Sequence, residues 1–509
     1  MRRILILSLF LLANSVFAQA PDWVQFEARN QKYPADKYLT GFSSEAITTD
    51  QTQKKLLGRL SGYAKNQLVE AIITEIKATS TLRMNNVNGN SQEEFKLMSS
   101  SSSHASIAGM KVETYFTQKK KDGVGYAFAY ALKTDVINYY ENEIQVFLKN
   151  SKVQINIADN STSQRKNEEA LKTLYRLQTS FREVEHAQAV ITTLTGNFDL
   201  PSLYRTEISA AKEDVQQKIT GILNTDQFSL EDAAWYITRA ISLQSDDKSL
   251  PISVSNFTFE NSPMGSPFSR RFKAAIEQKL IAEGLSVSTK VDNTNDLILY
   301  GTYWQENNRI KVITVLRSQQ NSRALASSEC FIPKTDLAAK NIAFMPENYK
   351  NALITEQQFA AKEVTGGDLN IEIWTGKGTD NLIYVGDEYL KLFVRANKEC
   401  YIRLIYYLAD GSKVLLLDNY YIDMAKVNVV YELPYTFQCA EPFGVETLQM
   451  NAQNKPFELL KFTSEYGYDF LSDDMATILA KTRGFKRVSA DKEELIKAEK
   501  RLVFTTMSK

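Results

Sequence analysis

One stretch, from Leu369 to Phe457, constrains the fold of this 509-residue chain more than any other. Two apolar runs, Tyr401 to Leu408 and Val414 to Leu417, are separated there by Ala409-Asp410-Gly411-Ser412. An Asp-Gly pair between two such runs predicts a β-hairpin, and the β-branched and aromatic residues around it favour strands. The pattern therefore predicts one compact all-β module in this stretch.

Short motifs follow one another through this stretch in a set order. They are Tyr384-x-Gly386-Asp387, Leu390-x-Leu392, Cys400-Tyr401-x-x-Leu404, Ala409-Asp410-Gly411, Leu433-Pro434, Gly444-x-Glu446 and Lys455-Pro456-Phe457. This order resembles the domain of unknown function 4384. The resemblance implies a small antiparallel β-sandwich over residues 360–509, with the Gly-Asp and Asp-Gly pairs at turns and a helix near its C-terminal end, in a protein of the bacterial envelope. It implies no activity, because the family has no agreed one.

The first 18 residues have the pattern of a secretory signal peptide. Arg2 and Arg3 precede the apolar run Ile4 to Leu12, and Val16-Phe17-Ala18 supplies small residues for cleavage before Gln19. The apolar run is shorter than the roughly 20 residues that span a bilayer. Residues 1–50 contain no cysteine that could be lipidated. We therefore expect a periplasmic or outer-envelope-associated protein without a transmembrane helix, for which peripheral membrane contact stays open.

Residues 19–150 are predicted to form an α+β domain. A long helix carries apolar residues from Leu57 to Ile76 at helical spacing, a polar tract runs from Asn85 to Ser103, and a tyrosine-rich hairpin follows. On one hairpin strand Tyr126, Phe128 and Tyr130 alternate with alanines, which predicts close packing of the helix on the alanine face. With Pro21-x-Trp23 and Tyr38-Leu39-x-Gly41, this order resembles the LPP-twenty lipoprotein family and flagellar-assembly periplasmic domains. Those lipoproteins have a lipidated cysteine that this chain lacks, so their anchoring is not carried over.

The middle of the chain is predicted to contain a helical hairpin spacer over residues 151–245 and a small α/β domain over residues 246–345. Ala170, Leu174, Leu177 and Phe181 share one helical stripe, and Gly196 to Pro201 breaks the pattern before a second stripe. Such a helix pair could bind a partner, although packing within the chain is the favoured interpretation. The overall prediction is an α+β multidomain protein.

No catalytic or metal-binding signature is present in the sequence. The chain has two histidines, His104 and His186, which lie far apart, and it has no Cys-x-x-Cys or Gly-x-Ser-x-Gly motif. Gly376-Lys377-Gly378-Thr379 lacks the first glycine of a nucleotide-binding loop. A formal net charge of zero gives no attraction for nucleic acid. We therefore predict that the protein is not an enzyme, uses no cofactor or metal, and has no nucleic-acid partner.

Two groups of side chains in the sandwich are candidates for binding or for a covalent link. The aromatic residues could form a platform for a sugar or a protein edge, although core packing is favoured; they are Trp374, Tyr406, Tyr407, Tyr420 and Tyr421. Cys400 and Cys439 share the sandwich and could form a disulfide in an oxidising compartment. Buried free thiols are the favoured interpretation of these two cysteines.

The function that fits these observations is that of an exported, non-enzymatic envelope scaffold or adaptor, which works through protein–protein contacts with other envelope proteins. Two alternatives stay open. One is a cell-wall glycan-binding protein that uses the sandwich aromatics. The other is a hydrolase whose carboxylates meet only in the folded chain and cannot be recognised in the sequence.

Overall fold

A computed structural model describes most of the chain. The described residues are 20–47, 52–83, 107–119, 122–197, 202–245, 247–260, 262–288, 297–320, 322–360, 369–465, 467–483 and 495–509. The predicted signal peptide, the polar tract from Asn85 to Ser103 and His104 lie outside them. The described part contains ten α-helices and eighteen strands in four sheets, which confirms a mixed helix-and-sheet protein with a sheet-rich C-terminal region. None of its helices is long and apolar enough to cross a membrane.

The N-terminal unit is a three-stranded antiparallel sheet with a long helix on one face. The sheet order is β1-β3-β2, and a short 3-10 helix precedes α1. Its elements are the 3-10 helix Asp22–Val24, α1 (Phe26–Lys32), β1 (Tyr38–Ala46), α2 (Gln53–Arg83), β2 (Lys111–Lys119) and β3 (Asp122–Leu132).

The two faces of this sheet differ as the alternation in the sequence predicts. Ala127, Ala129 and Ala131 are buried in the same cluster as the apolar side of α2. Gly41 lets α2 approach so closely that a Cβ atom built at this position would lie 2.1 Å from the carbonyl oxygen of Ala64. The aromatic side chains, among them Phe128, lie on the opposite face, where Trp23 stacks on Phe128 with ring centroids 5.8 Å apart.

Four helices follow: α3 (Lys133–Ser163), α4 (Asn167–Thr195), α5 (Ser202–Leu223) and α6 (Leu230–Gln244). The pair α4 and α5 is the predicted hairpin, and α4 is followed by Gly196, whose φ of 64° is left-handed. The boundary that the sequence suggests at residue 150 lies inside α3, because buried positions continue at helical spacing from Ile144 through Leu148 and Ser151 to Ala158. Helices α4 and α6 also contact the following sheet.

The next unit is a five-stranded sheet in the order β4-β6-β7-β8, with β5 also paired to β6. Its elements are β4 (Ile252–Val254), β5 (Thr258–Phe259), α7 (Pro267–Ala282), β6 (Leu297–Glu306), β7 (Arg309–Ser318), β8 (Ala324–Pro333), α8 (Lys334–Ala339) and α9 (Tyr349–Ala360). One buried cluster extends from Leu39 in β1 to Leu337 in α8. The three N-terminal segments therefore contribute side chains to one buried cluster.

The C-terminal part is a sandwich of a seven-stranded and a three-stranded sheet. The strand orders are β10-β18-β15-β12-β13-β17-β16 and β14-β11-β9. The elements are β9 (Ile371–Thr375), β10 (Leu382–Val385), β11 (Tyr389–Ala396), β12 (Cys400–Tyr407), β13 (Lys413–Ile422), β14 (Tyr431–Gln438), β15 (Gly444–Gln453), β16 (Phe462–Glu465), β17 (Tyr468–Leu471), α10 (Met475–Arg483) and β18 (Lys497–Met507).

The two sheets enclose one core to which both contribute, for example Leu392 from the smaller sheet and Leu404 and Met450 from the larger. The prediction of a wholly antiparallel sandwich is wrong in one detail, since β10 runs parallel to β18. The long stretch of chain between these two strands allows it, because a parallel pair needs a long crossover and not a tight turn.

The sandwich is attached to the rest of the molecule through α9 and the segment before it. The Asn348 side chain donates to the carbonyl oxygens of Ala409 (2.9 Å) and Val445 (3.0 Å) and accepts from the Val445 amide (2.7 Å). On the outer face of the larger sheet, Phe359 of α9 packs against Tyr407 with ring centroids 5.2 Å apart. This face is therefore covered, and the opposite face points into the sandwich.

Candidate functional site

An apolar cavity lies between the two sheets of the sandwich, next to β14. Its volume is about 40 Å³, and it is partly open to solvent. This is far below the roughly 300 Å³ at which ligand pockets in proteins begin, so the cavity admits only a small apolar group. Strands of both sheets line it, with the residues Tyr384, Leu390, Leu392, Tyr406, Leu416, Phe437, Gln438, Cys439, Leu448, Phe504 and Thr506.

The cavity exists because large rings and an irregular edge strand keep the two sheets apart at this side. Phe504 stacks against Tyr406 at 5.9 Å and meets Tyr384 edge-on at 6.0 Å. Strand β14 lies at one end of its sheet and shifts register against β11 between Lys391 and Phe393. Its Pro434 has no amide hydrogen to donate, which is typical of edge strands.

A hydrogen-bonded pair lies at the aromatic wall of this cavity. The Tyr406 hydroxyl donates to Glu446 Oε2 at 2.7 Å, and Glu446, which is only 4% exposed, lies on the inward face of β15 with Leu448. Burial raises the pKa of Glu446 to about 7, although the hydrogen bonds from Tyr406 and from the Ala409 amide favour the charged form. Burial also raises the pKa of Tyr406, so its hydroxyl stays protonated and acts as a donor.

The two cysteines of the sandwich are buried free thiols in the structure. Burial raises the pKa of Cys439, at the cavity wall, to about 11 and that of Cys400, in the core, to about 12. The thiolate is the nucleophilic form of cysteine. At neutral pH neither thiol is therefore prepared for nucleophilic attack.

The structure places the five aromatic residues singled out from the sequence on different surfaces. Of these, only Tyr406 lines the cavity. Tyr407 points to the opposite face of β12, where its hydroxyl donates to Gln449 Oε1 at 3.0 Å. Trp374 stacks on Phe393 of the smaller sheet at 6.0 Å.

The remaining two aromatics also lie apart from the cavity and from each other. Tyr420 lies near Tyr431, with the Lys426 ammonium 4.9 Å from the Tyr420 ring. Tyr421 packs against Tyr401 at 4.8 Å, and its hydroxyl donates to Glu399. The five side chains therefore do not form a single platform.

Sequence reasoning missed Glu446, Leu416 and Phe504 as parts of the site. A signal for Glu446 was present, because it alternates in register with Leu448 and Met450 and so has to face the core. Phe504 carries no such signal, since only the strand order brings β18 beside β15. Among the described residues, no group of three or more His, Cys, Asp or Glu side chains could hold a metal ion.

A second, polar recess lies where the N-terminal unit meets the sandwich. Arg395 of β11 donates to the Tyr63 hydroxyl of α2 at 2.5 Å and to Glu372 at 2.7 Å. Glu45 of β1 lines the same recess and pairs with Arg59. Burial raises the pKa of Glu45, against the attraction of the two arginines. The contact is made by ion pairs and hydrogen bonds and so differs in kind from the apolar cavity.

Comparison with protein families confirms the C-terminal resemblance. Residues 383–456 match the family described as Domain of unknown function (DUF4384). Most of the cavity wall falls inside these residues, whereas Phe504 and Thr506 of β18 lie beyond them. The resemblance of the N-terminal part to LPP-twenty lipoproteins and flagellar-assembly domains stays a prediction.

Comparison with whole proteins and solved structures adds little. None of the curated proteins compared with the chain matches it in sequence. Among solved structures, the chain is similar to the secreted protein HP1454 from Helicobacter pylori, with a TM-score of 0.20 and 8% identity over 64% of this chain and 99% of that one. A TM-score of 0.20 does not establish a shared fold.

Proposed function

We propose that this chain is an exported, non-enzymatic adaptor whose sandwich binds an apolar side chain of a partner protein. The observation that carries the proposal is the cavity beside β14, which has apolar walls and opens to solvent. Each CH₂ group of a partner side chain that is buried there contributes roughly 0.8 kcal/mol. The partner is another protein of the envelope, in the periplasm or associated with the outer membrane.

The chemistry of the wall supports binding rather than reaction. The Tyr406 hydroxyl is bonded to Glu446 at 2.7 Å, and Thr506 exchanges hydrogen bonds with Gly444 at 3.0 and 3.1 Å. The thiol of Cys439 is held in its protonated form by burial. These polar groups are therefore satisfied within the protein, and a guest gains most by offering apolar surface.

Filling the cavity tests the adaptor function. Leu416→Trp adds a ring at the wall, and Leu459→Trp makes the same change at a leucine that is 78% exposed and outside the cavity. We expect crosslinked envelopes to yield the same partner with the wild type and with L459W, and at least tenfold less with L416W. Equal recovery with both variants, each folded by circular dichroism, would refute the role of the cavity.

One observation favours the second candidate, a hydrolase. A carboxyl group with a pKa of about 7 beside a cavity is typical of a general acid or base. In that case Glu446→Gln would abolish turnover of a substrate while the apolar partner still binds. Under the adaptor proposal, the mature wild-type protein turns over no substrate, so E446Q has no activity to abolish.

The glycan-binding alternative has less support, because the five sandwich aromatics lie on different surfaces. Trp374 and Tyr421 remain its most suitable members, since both lie away from the cavity wall and Tyr421 is exposed. Quenching of tryptophan fluorescence by cell-wall fragments, lost in Trp374→Ala, would favour that alternative over the adaptor.

A further inference from the structure

The edge of β14 that faces away from β11 pairs with no other strand in the described part of the chain. Cys439, which follows β14, donates its amide to the carbonyl oxygen of Glu388 (2.8 Å) and accepts from the Asp387 amide (2.9 Å). Its backbone therefore points toward the start of β11. Because this direction alternates along an antiparallel strand, the N–H and C=O groups of Gln438 and Thr436 point to the open edge.

The two halves of this open edge differ in how well they could accept another strand. Proteins protect exposed edges with proline, charged side chains and irregular strands. In the first half of β14, Pro434 has no amide hydrogen, and Glu432 forms an ion pair with Lys391 at 2.9 Å. The second half, which contains Thr436, consists of uncharged residues. The unprotected half is the one beside Phe437, whose side chain lines the cavity.

The larger sheet extends past β14 and provides a floor for one more strand. Side chains of β14 and β13 line the same cavity, so β14 lies over β13, and β17 is the next strand of the larger sheet. Phe470 of β17 lies opposite Val414, which lies opposite Tyr406 of the cavity wall, so all three share one face. Tyr468 alternates onto this face and is 50% exposed. Neighbouring strands are about 4.8 Å apart in any sheet, so a strand added to β14 lies above β17.

We propose that an extended segment of the partner protein adds to β14 as a fourth strand of the smaller sheet. This inference rests on the proposed adaptor function and names the form in which the partner presents its apolar side chain. An extended backbone fits the edge because its alternating N–H and C=O groups carry partial charges that complement those of Thr436 and Gln438. The partner residue opposite Phe437 points to the same side as Phe437, and so into the mouth of the cavity.

The geometry also defines the sequence of the segment. The residue at the cavity is small and apolar, because the cavity volume is about 40 Å³. The residues before and after it point away from the larger sheet, since side chains alternate along a strand, and are therefore polar. The segment reads polar, small apolar, polar in an extended conformation.

Backbone methylation of a short peptide tests strand addition without changing any side chain. The probe is acetyl-Thr-Thr-Val-Thr-Thr-amide, titrated into the mature full chain and followed by NMR. In an antiparallel strand, the two threonines next to the valine direct their N–H groups to β14, whereas the valine N–H points to solvent. We expect N-methylation of these two threonines to weaken binding at least tenfold, and N-methylation of the valine to weaken it by less than about threefold.

Amide hydrogen exchange locates the bound peptide. Exchange at Thr436 and Gln438 should slow in proportion to the fraction of protein that is bound, because their N–H groups become hydrogen-bonded. Slower exchange at the edge of another strand, with no change at these two residues, would overturn the inference.

The remaining outcomes separate this inference from the adaptor function. A loss of binding on methylation of the valine and not of the threonines would mean that the added strand is parallel, and would still support addition to β14. Equal binding of all three peptides, with toluene still bound in the cavity, would overturn strand addition and leave the adaptor function intact. Failure of both the peptide and toluene to bind would overturn both.

Discussion

Two three-stranded antiparallel sheets of this molecule fill the space on their buried faces in opposite ways. The N-terminal sheet presents alanines to α2, and Gly41 allows the helix backbone to come into contact with the sheet. The smaller sheet of the sandwich presents Leu390, Leu392 and Phe437 to the larger sheet, and a cavity remains at its β14 edge. The same number of strands therefore gives a rigid support in one place and an open site in the other.

The difference lies in side-chain size and in the partner of each sheet. Small residues let one regular helix lie flush on a sheet, so little empty space remains. Two twisted sheets with large rings fit less closely where a strand is irregular, as β14 is next to its register shift. The cavity thus belongs to the part of the fold where packing is least uniform.

The largest expected effect comes from adding a side-chain atom where the N-terminal sheet and α2 are in closest contact. Gly41→Ala should lower the free energy of unfolding by about 3 kcal/mol or more, because its Cβ would lie 2.1 Å from a backbone oxygen of α2. Gly58→Ala is the matched control, since a Cβ there meets nothing within 4 Å and a helical alanine gains about 1 kcal/mol. Urea unfolding of both variants measures the contrast; similar stabilities would show that the helix is not in close contact.

The next effect concerns the buried acid of the sandwich. Burial raises the pKa of Glu446 from 4.5 to about 7, so between these pH values the folded protein keeps a proton that the unfolded chain releases. Stability therefore falls as pH rises through this window. The variant Glu446→Gln has no carboxyl group to titrate, so its stability does not fall in this window. It should therefore be more stable than the wild type by about 2–3 kcal/mol at pH 8.

The pH dependence separates this effect from a general change in packing. At pH 4.5 the protonated wild type and E446Q should differ by less than about 1 kcal/mol. Denaturant titrations at pH 4.5, 6 and 8 measure both curves. Parallel curves at all three values would mean that Glu446 titrates normally.

Enlarging a side chain at the cavity should have a smaller effect on stability. Leu416→Phe adds a ring where space is available, and we expect a change of less than about 1 kcal/mol. Ala129→Val adds fewer carbon atoms, but it adds them to the tight face of the N-terminal sheet, and it should cost about 2 kcal/mol. A larger loss of stability in L416F than in A129V would contradict the claim that the N-terminal sheet is the more tightly packed of the two.

The smallest effect is expected at the polar contact between the two regions. Tyr63→Phe removes the hydroxyl that accepts from Arg395, while Glu372 continues to pair with the guanidinium. We expect a loss of about 0.5–1 kcal/mol. Calorimetry of Y63F at low and high salt would measure it, and a loss above about 3 kcal/mol would show that this contact holds the regions together.

Local patterns in the sequence predicted much of the secondary structure. The Asp410-Gly411 turn is present, with Gly411 at a φ of 89°, and the strands on either side of it are paired. The alternation of alanine and aromatic residues gave the correct faces of β3. These features depend on near neighbours in the chain, and short-range periodicity is enough to recognise them.

The cavity and the shared core could not be predicted in the same way. The cavity wall needs Phe504 beside Tyr406, almost a hundred residues earlier, and only the pairing of β18 with β15 brings the two strands into one sheet. The expected boundary at residue 150 lies inside helix α3. Periodicity shows which side of a helix is apolar, but it does not show which units that side joins.

Binding of small aromatic molecules tests the central claim most directly. Toluene and p-cresol stand for the side chains of Phe and Tyr, and NMR titration of the mature protein reports their binding. We expect saturable binding with shifts in residues of the cavity wall, weakened at least tenfold in L416W and unchanged in L459W. Absence of binding to the wild type, or equal binding to L416W, would contradict the account.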